Sequence, residues 1–280
     1  NMYSSLITPK IANEHLDDSN WRFLDCRFVL TEPEQKQAEF ALSHLPGATY
    51  AHVNRDLAVP HISGKTGRHP LPEKERLIKL FSTWGIDNSV QVVVYDDTGG
   101  AHAVRLWWML RWLGHDAVAV MDGGWPRWIQ EGRQVTAALT VSEPKKFKAS
   151  PRDNWLVTAE DIVADLDNYE VRILDARNSD RFQGRNETLD PVAGHIPGAV
   201  SAPFVENLDE DGNWKSKSVL RLMYEKLLSG SPAEQAVSYC GSGITACHNI
   251  LAMYHAGMGD SRLYCGSWSD WIADPKRPVA

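Results

Sequence analysis

Apolar residues along the chain fall into short unbroken runs, separated by longer stretches with helical periodicity. In the first half, Val90 to Tyr95 predicts a strand, Ala103 to Leu113 a helix, and Val118 to Met121 a second strand that enters the turn Asp122-Gly123-Gly124-Trp125. In the second half, Val171 to Leu174 and Ala236 to Tyr239 predict strands, Thr245 to His255 a helix and Arg262 to Tyr264 another strand. Runs this apolar, without alternation, suit strands covered on both faces. Strands that alternate with helices predict the α/β class, a parallel sheet flanked by helices. Thr158, ahead of Ala159-Glu160-Asp161, suits a helix N-cap.

The pattern occurs twice. Leu24-Asp25-Cys26-Arg27 returns as Leu174-Asp175-Ala176-Arg177, and His44-Leu45-Pro46-Gly47-Ala48 as His195-Ile196-Pro197-Gly198-Ala199. Val92-Val93-Val94-Tyr95 returns as Ala236-Val237-Ser238-Tyr239, and Gly123-Gly124-Trp125 with Trp128 as Gly266-Ser267-Trp268 with Trp271. Four matches in the same order at nearly constant separation mark a tandem duplication. The expected domains are 1–140 and 155–280, joined by an aperiodic, proline-containing linker at 141–154.

Composition narrows the partners. Of 280 residues 43% are hydrophobic and 23% charged, as in soluble globular proteins, and the net charge of −7 argues against a nucleic-acid surface. No apolar run approaches the ~18 residues of a membrane span. The chain opens polar and mixed, without a leader pattern, so the cytoplasm is the expected location. The four cysteines Cys26, Cys240, Cys247 and Cys265 show neither zinc spacing nor a disulfide framework. Cys26 and Cys247 suit the core, Cys247 with a resolving thiol as its alternative, and Cys265 has no assigned role.

Candidate chemistry concentrates where the last strong strand meets a helix, in Cys240-Gly241-Ser242-Gly243-Ile244-Thr245. A cysteine at this junction faces unpaired backbone N–H groups, which favour the thiolate. Gly241 and Gly243 allow the backbone to curl into an anion-binding nest. Cys240 is therefore the candidate nucleophile, with the N–H groups of Gly241, Ser242, Gly243, Ile244 and Thr245 as the nest. The first repeat has Asp96 at the equivalent position, so only the second half can carry thiol chemistry.

These segments resemble the two-domain rhodaneses, the thiosulfate and 3-mercaptopyruvate sulfurtransferases, over essentially the whole chain. The resemblance rests on both His-Leu/Ile-Pro-Gly-Ala segments, both Gly-x-Trp-x-x-Trp segments, the cysteine-free first repeat and the Cys240 loop. It implies two tandem rhodanese-like domains and sulfur transfer through a Cys240 persulfide. A loop without a cation resembles the Cys-Gly-Ser-Gly type found in mercaptopyruvate sulfurtransferases, and thiosulfate remains the alternative donor. The resemblance further implies that Ser242 and His69 handle the proton. The aspartate that should support the histidine matches poorly, with Asn54 nearest and Asp56 two residues on. Arg181 matches a carboxylate-binding arginine, and Arg185 is the local substitute for a second one that is missing from 186–194. The implied partners are a small-molecule sulfur donor and a thiol, thioredoxin-like or cyanide acceptor, with no metal or organic cofactor.

Two rivals are weaker. A cysteine phosphatase needs an arginine six residues after the cysteine, where this chain has Ala246. A persulfide relay to a protein partner would keep the cysteine but would not turn over with a small acceptor. The paired Asp25/Arg27 and Asp175/Arg177, His44 and His195, and the tryptophans at 125, 128, 268 and 271 recur in both halves and are expected to be structural.

Overall fold

The computed structural model describes residues 2–280. The chain divides into two compact units. The first runs to Val59 and resumes over Leu71–Arg152 with Glu210–Trp214; the second comprises Pro60–Pro70, Asp153–Asp209 and Lys215–Ala280.

In the first unit the elements are β1 (Leu6–Ile7), α1 (Pro9–Glu14), β2 (Trp21–Asp25), α2 (Gln35–Leu42), β3 (Thr49–Tyr50), α3 (Lys74–Thr83), β4 (Gln91–Tyr95), α4 (Ala103–Trp112), β5 (Val118–Met121) and α5 (Gly124–Gln130). Among the described residues they form a sheet in the order β1-β5-β4-β2-β3, every pairing parallel. β4 is central and buried along its length, and every residue of α4 is buried as well. Trp107, Trp108 and Trp112 supply much of its apolar surface, and its two charged residues, Arg105 and Arg111, are buried with them.

The second unit repeats the plan with α6 (Ala159–Asp165), β6 (Ile173–Asp175), α7 (Ser179–Phe182), β7 (Val200–Ser201), α8 (Lys217–Leu228), β8 (Val237–Tyr239), α9 (Ala246–His255), β9 (Arg262–Leu263) and α10 (Ser267–Trp271). Its parallel sheet has the order β7-β6-β8-β9. Where β1 would pair with β5, this unit has only a parallel bridge between Leu156 and Leu263. Thr158 caps α6 through a full capping box with Asp161. The expected α/β class, with two parallel sheets flanked by helices, is what the chain adopts.

The repeated motifs brace each sheet in the same way. Asp25 pairs in register with Tyr95, and Asp175 with Tyr239. The Tyr95 hydroxyl accepts the Leu45 N–H at 3.2 Å, and the Tyr239 hydroxyl accepts the Ile196 N–H at 3.1 Å. His44 stacks on Phe40, and His195 on Phe182. Arg27 is buried against Asp25 and lies 4.3 Å from the Trp125 ring; Arg177 is buried against Asp175, 4.9 Å from the Trp268 ring. Residues repeated in both halves therefore hold the frame, including the half that lacks a cysteine.

Candidate active site

Cys240 follows the last residue of β8, which pairs with β6 on one side and with β9 on the other. The six residues Cys240 to Thr245 bridge β8 and α9. The start of the loop is pinned by α10: the Cys240 N–H donates to Ser267 Oγ at 3.0 Å, and the Cys240 and Gly241 carbonyls accept from the Trp268 and Ser269 N–H groups at 2.9 and 3.0 Å. Gly243 turns the loop with φ +85°, and a Cβ there would lie 2.2 Å from the Cys265 carbonyl oxygen. Only glycine satisfies both conditions. Cys265 thus contributes its backbone to the loop's outer wall.

The thiol is almost wholly buried, at 2% exposure. Burial pushes its pKa up. The Thr245 hydroxyl and the N–H groups of Ser242, Ala246 and Gly243 act against this, and together they hold Cys240 below the ordinary thiol value. The Gly243 N–H donates to Cys240 Sγ at 3.1 Å. The nest expected from Gly241 to Thr245 is therefore built from Ser242, Gly243 and Ala246 on the backbone, and Thr245 contributes its side chain. Ile244 receives the Cys247 N–H on its carbonyl at 3.2 Å, as the first turn of the helix closes. Cys247 donates its thiol to the Gly243 carbonyl at 3.6 Å from within the core.

The first repeat shows the same nest filled from within. Asp96 follows β4 as Cys240 follows β8, and its carboxylate accepts the N–H groups of Thr98, Gly100, His102 and Ala103 at 2.8–2.9 Å. A loop of this shape gathers N–H donors around one acceptor; in the second repeat the atom at that place is Cys240 Sγ.

His69 lies in the 60–70 segment, which belongs to the second unit. This segment sits tightly against the turn before α10: a Cβ on Gly67 would come within 2.5 Å of the Gly266 carbonyl, and the Arg68 N–H donates to Ser269 Oγ at 3.1 Å. His69 is thereby buried with its Nδ1 2.7 Å from Ser242 Oγ, bringing together the expected pair. Asp56 instead serves a first-unit loop, accepting the His52 N–H at 2.8 Å, while the Asn54 N–H donates to His52 Nδ1 at 3.1 Å.

Of the two expected arginines, Arg181 reaches the loop and Arg185 does not. A Cβ on Gly241 would lie 3.5 Å from both terminal nitrogens of Arg181. Arg185 has a side chain 65% exposed and turned to Asp180 and Gln183, because α7 ends at Phe182 and the chain turns outward at Gly184. The second guanidinium beside the loop belongs to Arg68, whose Nη2 would lie 2.6 Å from a Gly241 Cβ. The sequence offered one clue to it, its place immediately before His69.

Comparisons with known proteins bear on the family and the fold. The rhodanese-like domain matches twice, at residues 8–131 and 158–274. The chain is 43% identical to a probable 3-mercaptopyruvate sulfurtransferase of Pseudomonas aeruginosa, covering 99% of this chain and 98% of that protein. It is 33% identical to the thiosulfate sulfurtransferase of Rattus norvegicus over 100% of this chain and 96% of that one. Its fold resembles the structure of 3-mercaptopyruvate sulfurtransferase from Leishmania major, with a TM-score of 0.84 and 31% identity over 98% of this chain and 75% of that one. With both halves matched and the cysteine loop confined to the second, the chain belongs to the rhodanese family as a tandem pair of rhodanese-like domains.

Proposed function

We propose that this protein is a sulfurtransferase that takes sulfur from 3-mercaptopyruvate onto Cys240 and passes it to a thiol, a thioredoxin-like protein or cyanide. The observation that carries the reading is a buried Cys240 Sγ facing backbone N–H donors that favour its thiolate, with the loop's Ser242 hydrogen-bonded to His69. The Cys240 thiolate attacks the thiol sulfur of the donor. An S–S bond forms, the sulfur–carbon bond breaks, and the electron pair leaves with the three-carbon fragment as the enolate of pyruvate. The proton from the donor thiol goes to that carbon, and the Ser242 hydroxyl with His69 Nδ1 gives it a path. The persulfide anion left on Cys240 is held by the same N–H groups that held the thiolate. An acceptor thiolate or cyanide then attacks the outer sulfur, and Cys240 leaves as a thiolate. Splitting one displacement into two in this way is nucleophilic catalysis.

Thiosulfate is the second donor to test, because the chain is also similar to a thiosulfate sulfurtransferase. A loop from Cys240 to Thr245 with no cation of its own favours the neutral thiol sulfur of mercaptopyruvate over the compact dianion. Steady-state kcat/KM with each donor and one common acceptor decides between them. Higher kcat/KM with mercaptopyruvate, lost in Cys240→Ser, is the expected result; activity that survives Cys240→Ser overturns the mechanism, and turnover only with an added protein acceptor points to a relay. Among the described residues no helix is long and apolar enough to cross a membrane.

A further inference from the structure

The second unit buries a set of polar side chains that the sequence did not single out. Asn207, Tyr224, His248 and Asn249 are each exposed by 1% or less. Asn207 ends a short 3-10 helix, Phe204–Asn207, that follows β7, and Tyr224 lies on α8. His248 and Asn249 are the third and fourth residues of α9. The Asn207 amide donates to His248 Nδ1 and to Asn249 Oδ1, both at 2.9 Å. The Tyr224 hydroxyl lies 2.8 Å from Asn207 Oδ1 and from Asn249 Oδ1, and its one proton serves the two. Asn249 Nδ2 donates to the Ala202 carbonyl at 2.8 Å. A buried network paired in this way fixes one arrangement where apolar packing would tolerate several.

What it fixes is the start of α9. The His248 N–H donates to the Thr245 carbonyl at 3.0 Å, so the two residues move together. Thr245 and Ala246 are among the residues whose donors face the Cys240 thiol. The first repeat supplies the contrast. Counted from the first residue of each helix, α4 has Arg105 and Leu106 where α9 has His248 and Asn249. There the Asp96 carboxylate takes four N–H groups on its two oxygens and so anchors the helix start directly. A single sulfur is a weaker acceptor, and the turn that faces it needs an anchor elsewhere. We propose that Asn207, Tyr224, His248 and Asn249 are positioning residues for sulfur transfer. They hold the first turn of α9 from within the core, so that the Thr245 hydroxyl and the Ala246 N–H stay aimed at the Cys240 sulfur and at the persulfide it becomes. The inference rests on the sulfurtransferase reading for the persulfide, and on the loop's geometry for the thiolate.

The test reads the pH profile of iodoacetamide alkylation at Cys240, followed by peptide mass, in the full chain. Asn249→Leu places in α9 the residue type that α4 carries, and Tyr224→Phe removes one oxygen. Both exchange uncharged side chains and leave in place Arg68, Arg181 and His69, which face the loop. A shift therefore reports the aim of the donors and not a lost charge. The midpoint should rise by about half to one pH unit in Asn249→Leu, and by less in Tyr224→Phe. With 3-mercaptopyruvate, Asn249→Leu should lower kcat about three- to tenfold, the same shift read as a rate, with KM nearly constant. Leu220→Ala is the control: Leu220 is buried on the same helix as Tyr224 and has no polar group to join the network. That variant should lose stability with its midpoint unchanged. If Asn249→Leu does not fold, Tyr224→Phe decides. Midpoints that stay at the wild-type value in both network variants overturn the positioning role even if sulfur transfer is confirmed, and so does an equal shift in Leu220→Ala. Midpoints that move as expected in a protein that uses neither mercaptopyruvate nor thiosulfate support the positioning role and remove the sulfurtransferase reading instead.

Discussion

Cys26 and Cys240 are equally buried, and their thiols are displaced in opposite directions. For Cys26, burial and then the charges of Asp96, Asp25 and Asp56 push the thiol well above its ordinary value. For Cys240, burial pushes the same way and is outweighed by the Thr245 hydroxyl and three backbone N–H groups. Donors aimed at the sulfur, not exposure, separate a nucleophile from a core residue. Thr245→Val removes the strongest of these donors without changing the volume of the side chain. Its pH profile of iodoacetamide alkylation at Cys240 should move to more alkaline pH, slowing the reaction at least about tenfold at neutral pH, the lower end of the worth of one hydrogen bond to a charged group. An unmoved profile would mean that the backbone alone holds the thiolate. At this scale the meeting of Ser242 with His69 and the N–H donors around Cys240 were legible from loop composition and resemblance. The direction of Arg185 was not, because a side chain at the end of a four-residue helix can turn either way. Arg68 carried no mark beyond its place before His69, because Gly241, the residue it lies beside, is far away in sequence.

The junction between a central strand and its following helix is the element that both repeats share, and its two fillings explain each other. In the first repeat the Asp96 carboxylate, 1% exposed, satisfies four N–H groups at the start of α4. Without it those donors would stay buried and unpaired. Asp96→Ala should therefore cost about 2–4 kcal/mol of stability in urea denaturation, and Asp96→Asn, which keeps one acceptor oxygen, about half as much. A loss below ~1 kcal/mol would show that the nest relaxes when empty. The long apolar strands and helices of these junctions were readable because unbroken runs such as Val92-Val93-Val94 leave no other place for them. β1, β3 and β7 span two residues each, too few to show any period, and exist because β5, β2 and β6 offer them an edge.

Across the whole molecule the duplication supplies its own control, since what both halves keep is frame and what one half adds is chemistry. The linear pattern showed the two α/β halves. It could not show that 60–70, with Arg68 and His69, belongs to the second unit, because a short irregular segment carries no mark of what it packs against. The buried pairs are where the two halves can be weighed. Arg27 has Asp25 and the Ser43 carbonyl at 2.8 Å, whereas Arg177 has Asp175, the Gly194 carbonyl at 2.7 Å and also Glu187 at 3.5 Å. Removing one partner of a buried pair strands the other charge, a loss of about 3–5 kcal/mol. Asp25→Ala should show that loss in full. Asp175→Ala should lose about 1 kcal/mol less, because Glu187 remains to face the stranded guanidinium. The smaller loss has a consequence at the cysteine loop. Glu187 drawn toward Arg177 loosens its hold on Arg181, so Asp175→Ala should also raise KM for an anionic donor, while Asp25→Ala leaves it unchanged. Denaturation curves and donor KM values for the two variants test both halves of the statement. Equal stability losses with equal KM values would mean that Glu187 serves Arg181 alone, and that the second frame is as independent of its site as the first is of any chemistry.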